Sequence, residues 1–251
     1  MEYDSIESFR DRAGYVIGGV WYPRVTAIVA IKAKPALLRY YGGMRSFKAA
    51  DDAKEASARE GTMVHEAVAA IAAGRHDVIV DPLVRPSVDA FDEFLRNNNV
   101  EPLLIEERVV HQQYGYAGTV DMVARINGTV GVLDIKTGKR MYRDYGLQTA
   151  AYVQAVAQRA DVPTPTTSWV LRLDQCRTCA LCGVTLRTKG GMFRVSAGGR
   201  GCTHSWQPMQ GLFEFEEMHD TAGDFKAFLA SKELWHWEHQ EYIRQLSIEL
   251  R

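Results

Sequence analysis

Apolar residues recur along this chain at two spacings, and the change from one to the other marks out the elements. Within residues 51–73, Met63, Ala67, Ala70 and Ile71 fall three or four apart, which predicts an amphipathic helix. A second helix is predicted over residues 82–98, where Val88, Phe91, Phe94 and Leu95 repeat at that spacing and Asn97, Asn98 and Asn99 end it. The pattern then becomes strand-like. Residues 103–110 (LLIEERVV) read as a strand that turns through 112–116 into another, 116–126, built on Val120, Met122, Val123 and Ile126. Asn127-Gly128 is the dipeptide a tight hairpin favours, because both central positions need φ > 0, so residues 129–136 read as the returning strand. Residues 147–159 (LQTAAYVQAVAQR) form a helix by propensity.

Residues 168–174 and 211–218 read as a strand pair, and residues 220–251 as a long helical pattern carrying Phe225, Phe228, Trp235, Tyr242, Leu246 and Leu250. Residues 25–29 suit a short strand or the start of a helix equally well. The expected fold is α/β: a single domain over residues 1–251 with a mixed central β-sheet flanked by helices, interrupted by a small metal-binding insert at 175–210.

Composition narrows the class without naming a function. The chain has 251 residues, of which 46% are hydrophobic and 24% charged, with a formal net charge of -1, as in an ordinary globular protein. A near-zero net charge neither favours nor excludes nucleic acid, since acidic metal ligands can mask a local basic groove. No apolar run approaches the roughly 20 residues of a membrane span, so no membrane partner is expected. The opening MEYDSIESFRDR is too acidic for a signal or transit peptide, and the expected location is the cytoplasm of a bacterial or phage-infected cell.

The candidate chemistry lies on the hairpin. Asp134 and Lys136 alternate onto one face of their strand with Val132, while Leu133 and Ile135 point the other way. An acid and a lysine at the end of an apolar strand need compensation for lost hydration. Asp121 and Asp134 would be hard oxygen ligands for Mg²⁺ or Mn²⁺, with Lys136 near a bound water; taken alone, the same residues describe a strand-end salt bridge. Gln148 and Tyr152, at i and i+4, share one helix face.

Gly118-Thr119-Val120-Asp121, Asp134-Ile135-Lys136-Thr137-Gly138 and Gln148-Thr149-Ala150-Ala151-Tyr152, in this order, resemble the PD-(D/E)XK nuclease superfamily, RecB-like exonuclease branch, with Val120 in place of the proline of the "PD" pair. Upstream, Tyr22-Pro23-Arg24-Val25-Thr26 with Lys34-Pro35-Ala36-Leu37 is similar to the opening of phage-type and mitochondrial-type members, and Arg59 to His65 is similar to their Gly-Thr-x-x-His helix. The resemblance implies a restriction-endonuclease-like core and a catalytic set of Asp121, Asp134, Lys136, Gln148, Tyr152 and Glu106, which is fifteen residues before Asp121. It makes His65, Asp121, Asp134 and the carbonyl of Ile135 the implied ligands of the catalytic metal.

The implied activity is a metal-dependent DNA exonuclease, acting on single strands or frayed ends in repair, recombination or a phage cycle. Two alternatives stay open: a nuclease subunit active only with a helicase or an integration partner, and a silent DNA-binding module. Lys34, Arg39, Arg45 and Lys48, interleaved with Tyr40, Tyr41 and Phe47, can meet a DNA backbone and its bases or form a solvated helix face.

All four cysteines, Cys176, Cys179, Cys182 and Cys202, lie between residues 176 and 202. Such clustering suggests metal rather than disulfides. Cys179, Cys182, Cys202 and His204 supply four ligands for a structural Zn²⁺, with Cys176 able to replace His204; an iron-sulfur cluster is the competing reading. The basic residues of this segment, Arg177, Arg187, Lys189, Arg194 and Arg200, can touch DNA or serve solubility.

Overall fold

A computed structural model describes residues 3–32, 35–75 and 77–249. Lys34, His76 and Leu250, and the side chains of Pro35, Ala36, Leu37 and Arg39, lie outside the described residues.

The chain opens with helix α1 (Ile6–Ala13), whose N-cap Ser5 accepts from the Ser8 amide, and a small hairpin of β1 (Gly14–Ile17) and β2 (Val20–Pro23). Gly18 and Gly19, at φ 58° and 79°, make its turn, a conformation that glycine adopts without a Cβ clash. Residues 25–29, ambiguous in sequence, are a short helix, α2 (Val25–Val29), with Val25, Ile28 and Val29 turned inward. Helix α3 (Pro35–Gly42) leads to the 26-residue α4 (Phe47–Ala72), capped by Ser46 on the Ala49 amide, and α5 (Arg85–Asn97) follows.

Three strands then run antiparallel, β3 (Val100–His111), β4 (Tyr116–Ile126) and β5 (Thr129–Lys136). Asn127 and Gly128 take φ 49° and 90°, the left-handed pair that the hairpin requires. Helix α6 (Tyr145–Val156) carries the chain across one face to β6 (Thr167–Thr178), which lies parallel to β5. One edge of β6 pairs with β5 and, beyond the end of β5, with β7 (Thr185–Lys189); β8 (Met192–Val195) pairs with β7. The other edge takes β9 (Gln210–Glu217), from Trp169↔Glu217 to Cys176↔Gln210. The Cys-rich segment thus grows out of the sheet as a strand hairpin, and among the described residues the mixed sheet has seven strands.

Apolar cores lie on both faces, as the alternation along β5 requires. Val130 and Val132 pack with α2, α6 and the C-terminal helices, whereas Leu133 and Ile135 pack with α4 and α5. The long helical pattern at the end of the chain is two helices, α7 (Thr221–Glu238) and α8 (Gln240–Glu249), broken at His239. The break lets Trp235, His239 and Tyr242 all stack on Phe9 of α1, at centroid distances of 5.8, 5.6 and 4.7 Å.

Candidate active site

The site begins where two strands part. The β4–β5 ladder runs from Ile126↔Thr129 to Met122↔Leu133 and stops. There the Asp121 side chain takes over, its Oδ2 accepting the Ile135 N–H at 2.6 Å. A side chain in place of a ladder bond spreads the strands while keeping the Ile135 donor satisfied. On the far side, β5 stays in register with β6 as far as Lys136↔Arg172, so the strand end remains fixed.

Three donors collect at this opening. Ile105 and Glu107 of β3 pair with Met122 and Val120, which sets Glu106 across from Asp121. Glu106 holds φ 51°, a left-handed conformation that costs a non-glycine residue roughly 1 kcal/mol or more. Its carboxylate approaches His65 while Glu107, on the opposite side, lies 3.9 Å from Arg159. His65 comes from α4. Gly61, one turn earlier, lets the helix sit close to the strand end, because a Cβ there would lie 3.0 Å from Thr137 Oγ1. His65 Nδ1 is 3.4 Å from Asp121 Oδ1 and 3.9 Å from Glu106 Oε1, and one ligand atom from each of the three lies within 4.8 Å of the others. Burial pulls the imidazole down, but the bonds to Asp121 and Glu106 outweigh it and push it up to about 10. Desolvation raises the Asp121 carboxyl, yet His65 and Lys136 hold it below its ordinary value.

Asp134 belongs to a second, adjoining group. It is 1% exposed, and its Oδ1 accepts from Gln148 Nε2 at 2.9 Å. Lys136 Nζ lies 2.6 Å from Asp134 Oδ2 and donates to Gln148 Oε1 at 3.2 Å. Gln148 Nε2 also reaches the Tyr152 hydroxyl at 3.3 Å, so the i, i+4 pair on α6 fixes both charged residues. Gly118 makes room for this, since a Cβ there would lie 2.4 Å from the Tyr152 ring. Burial pushes the Asp134 carboxyl up to about 6, with Lys136 pulling it down and Asp121 pushing it further up. Asp134 Oδ2 is fully buried, and the ammonium, though close, is not directed along a hydrogen bond to it. An acceptor left in this state fits a cation supplied from outside the chain.

The structure divides the residues expected as ligands between the two groups. His65 and Asp121 are together, Glu106 stands with them, and Asp134 is paired with Lys136 and Gln148. The Ile135 amide bonds Asp121 Oδ2. A cleft of about 910 Å³ passes the first group, lined by Ser57, Gly61, Thr62, His65, Glu106 and Thr137. The Tyr22 to Thr26 motif lies beside β4, where Arg24 bridges to Ala117 and donates to the carbonyls of Gly14 and Asp11.

Residues not foreseen as part of the site hold its rim. Lys189 Nζ and Arg187 NH2 both donate to the Thr137 carbonyl, directly after Lys136, the latter at 3.2 Å. Arg187 also grips the buried Asp174 at 2.7 and 2.8 Å, and Arg172 NH1 bonds the same carboxylate at 2.8 Å. Of the basic residues expected to reach DNA or solvent, Arg187 and Lys189 are therefore turned into the protein. Their i, i+2 spacing on a strand placed them on one face; only the sheet register could show which face.

The second cluster lies at the base of the β7–β8 hairpin. Cys179, Cys182, Cys202 and His204 each bring one ligand atom within 4.8 Å of the rest, with Cys179 Sγ 3.9 Å from Cys202 Sγ and Cys182 Sγ 3.4 Å from His204 Nδ1. Ligands about 2.3 Å from a shared tetrahedral ion stand about 3.8 Å apart, so the set fits one. Gly183 N donates to the Cys179 carbonyl at 2.9 Å, closing a tight knuckle, and φ 72° at Gly183 completes it. Desolvation raises the Cys179 thiol, but bonds from His204 and from the Leu181 and Cys182 backbone bring it down to about 6. Cys176 is buried in β6, paired with Arg187 and Gln210, and is not a member of the cluster.

Among the described residues, no helix is long and apolar enough to cross a membrane. No curated protein matches the chain. Residues 81–197 match the family model of the PD-(D/E)XK nuclease superfamily. This stretch carries Glu106, Asp121, Asp134 and Lys136 on one splayed hairpin and its neighbour, and through it the chain is similar to the PD-(D/E)XK nuclease superfamily.

Proposed function

We propose that this chain is a Mg²⁺- or Mn²⁺-dependent DNA exonuclease of the RecB-like branch, acting on single strands or frayed ends. The observation that carries the reading is the adjoining pair of groups at the β4–β5 opening: two carboxylates and an imidazole within 4.8 Å, and a lysine locked beside a buried aspartate. His65, Glu106 and Asp121 would hold the cation, with Asp134 Oδ2 and the Ile135 carbonyl as the further oxygens expected from sequence. A cation bound there polarises the scissile phosphate and lowers the pKa of a water ligand.

The chain's own residues do the positioning. Asp134 and Gln148 fix the Lys136 ammonium, which orients the attacking water and offsets charge developing on the phosphate. Tyr152 holds the Gln148 amide so that its oxygen faces Lys136 and its nitrogen faces Asp134. Asp121 stays ionised beside His65 and Lys136, as a cation ligand must. In-line attack leaves a 5′-phosphate and a 3′-hydroxyl.

A single-stranded substrate is supported by an aromatic ridge next to the cleft-forming helix α4. Tyr40, Tyr41 and Phe47 follow one another at 6.0 Å, the Arg194 guanidinium lies 5.3 Å from the Tyr40 ring, and Phe47 is 77% exposed. An exposed ring beside two half-buried ones and an arginine suits unpaired bases, whose π-faces a duplex hides. Exonuclease rather than endonuclease action follows the RecB-like motifs. The Cys3His cluster is read as a structural zinc site. A histidine completes it while Cys176 stands apart, which favours Zn²⁺ over an all-thiolate iron-sulfur cluster.

The test is cleavage of end-labelled linear and circular single-stranded DNA with Mn²⁺ or Mg²⁺, with Lys136→Ala alongside. Loss of the linear strand alone, abolished by the substitution, is the expected result. Cleavage of the circle refutes the exonuclease assignment, and turnover retained by Lys136→Ala refutes the site.

A further inference from the structure

The catalytic strand does not end free. Beyond Lys136, the Thr137 carbonyl is held by Lys189 and Arg187 of β7, and the Gly138 carbonyl accepts from Arg172 NH1 at 3.4 Å. The turn of the same hairpin presses on α4. Gly190 N donates to Glu60 Oε1 at 2.9 Å, and a Cβ at Gly190 would lie 2.4 Å from the Ala53 carbonyl. The β7–β8 hairpin therefore bridges the end of β5, which carries Lys136, to α4, which carries His65.

So short a hairpin needs a base. β7 has five residues and β8 four, and β7 joins β6 through only Thr178↔Thr185, Arg177↔Leu186 and Cys176↔Arg187. Two strands of this length are marginal without support. The support lies in the two loops that flank them. Cys179 and Cys182 are in the β6–β7 connection, with Cys179 N on the Val184 carbonyl at 2.8 Å, and Cys202 and His204 are in the segment that follows β8. A metal shared by these four ligands ties the entrance of the hairpin to its exit.

We propose that Zn²⁺ bound by Cys179, Cys182, Cys202 and His204 fixes the β7–β8 hairpin across the active site, which makes Arg187 and Lys189 positioning residues for Lys136. The inference rests on the nuclease reading and extends it: the zinc centre sets the geometry of a catalytic group on another strand. Partial burial of the Lys189 ammonium against a carbonyl costs hydration, and the contact lies at the strand end that carries the catalytic lysine.

The experiment uses the full chain, purified without chelator, with Mn²⁺ in excess in every assay. Metal analysis should find one zinc per chain, and little zinc in Cys202→Ser. Lys189→Met should lower kcat about 10- to 100-fold with KM little changed, since a misplacement of about 1 Å costs that much. Its melting temperature should not fall, because a half-buried charge is removed while Arg187 still bonds the Thr137 carbonyl, and Lys189→Arg should recover most of the rate. Amide exchange over residues 137–138 and 185–195 should quicken in Cys202→Ser. An active wild type with an equally active Lys189→Met overturns the positioning role. A zinc-free wild type, or exchange unchanged in Cys202→Ser, overturns the role of the metal. A wild type without turnover overturns the nuclease reading and the positioning role with it, while zinc content and exchange still decide whether the metal sets the hairpin.

Discussion

Replacing Lys136 by methionine separates the two things the lysine does, because Asp134 has a way to escape its loss. The carboxyl of Asp134 is 1% exposed, and in the native protein its pKa is already pushed up to about 6 against an ordinary 3.8. A carboxyl raised on folding contributes stability that is fully present below its unfolded pKa and lost as pH rises through the folded one. In the native protein that loss is complete by about pH 7. Without the ammonium the carboxyl stays protonated to higher pH, and the loss continues at about 1.4 kcal/mol per pH unit.

The variant should therefore match the native protein near pH 5, apart from about 1 kcal/mol for the hydrogen bond to Gln148. Through Asp134 it should fall behind by a further amount of about 1 kcal/mol at pH 7 and about 3 kcal/mol at pH 8. Urea denaturation at these three pH values, without added divalent cation, measures the difference. Cleavage with Mn²⁺ at pH 7, where the variant remains folded, should drop at least about 100-fold. A stability gap that does not widen between pH 5 and pH 8 would refute the coupling between Asp134 and Lys136, and a variant that cleaves at the native rate would refute the catalytic role.

Three other outcomes follow from the geometry. Gly118→Ala drives a Cβ to 2.4 Å from the Tyr152 ring, so it should cost about 1–3 kcal/mol in denaturant unfolding and reduce kcat by displacing Gln148. The His65 imidazole is raised to about 10, so its contribution to stability is fully present below about pH 6.5 and is lost as pH rises through the folded value. Unfolding curves between pH 6.5 and 10 without added divalent cation should show that slope, and His65→Gln should lack it. Phe47→Ala should weaken binding of a single-stranded oligonucleotide by about 1–3 kcal/mol, measured by fluorescence anisotropy in the Lys136→Ala background, with duplex affinity little changed.

Much of the sheet was legible because local chemistry and long-range packing agree there. Asn127-Gly128 fixed the turn, the alternation of Val132 and Asp134 with Leu133 and Ile135 assigned two buried faces, and the i, i+4 spacing brought Gln148 and Tyr152 to one place. Other features depend on contacts that no local pattern encodes. Whether residues 25–29 are strand or helix was decided by the packing of Val25 and Ile28. The break at His239 serves the ring stack on Phe9, from the other end of the chain. Glu106 reaches the site through a left-handed backbone that its residue type does not favour, and Arg187 and Lys189 face inward because Asp174 and the Thr137 carbonyl await them. The position of Asp134 beside Lys136 rather than with His65 is likewise a matter of which strand parts from which.

β3 lies at the border of the sheet, and among the described residues β4 is the one strand paired with its twelve residues. Such a border invites accretion of one molecule onto the next. Here it is spoiled twice, by the register shift between Pro102 and Leu104 and by the kink at Glu106. The same kink that turns a carboxylate toward His65 denies a neighbouring molecule a straight template, so relaxing Glu106 toward regular strand geometry would leave the protein more prone to self-association.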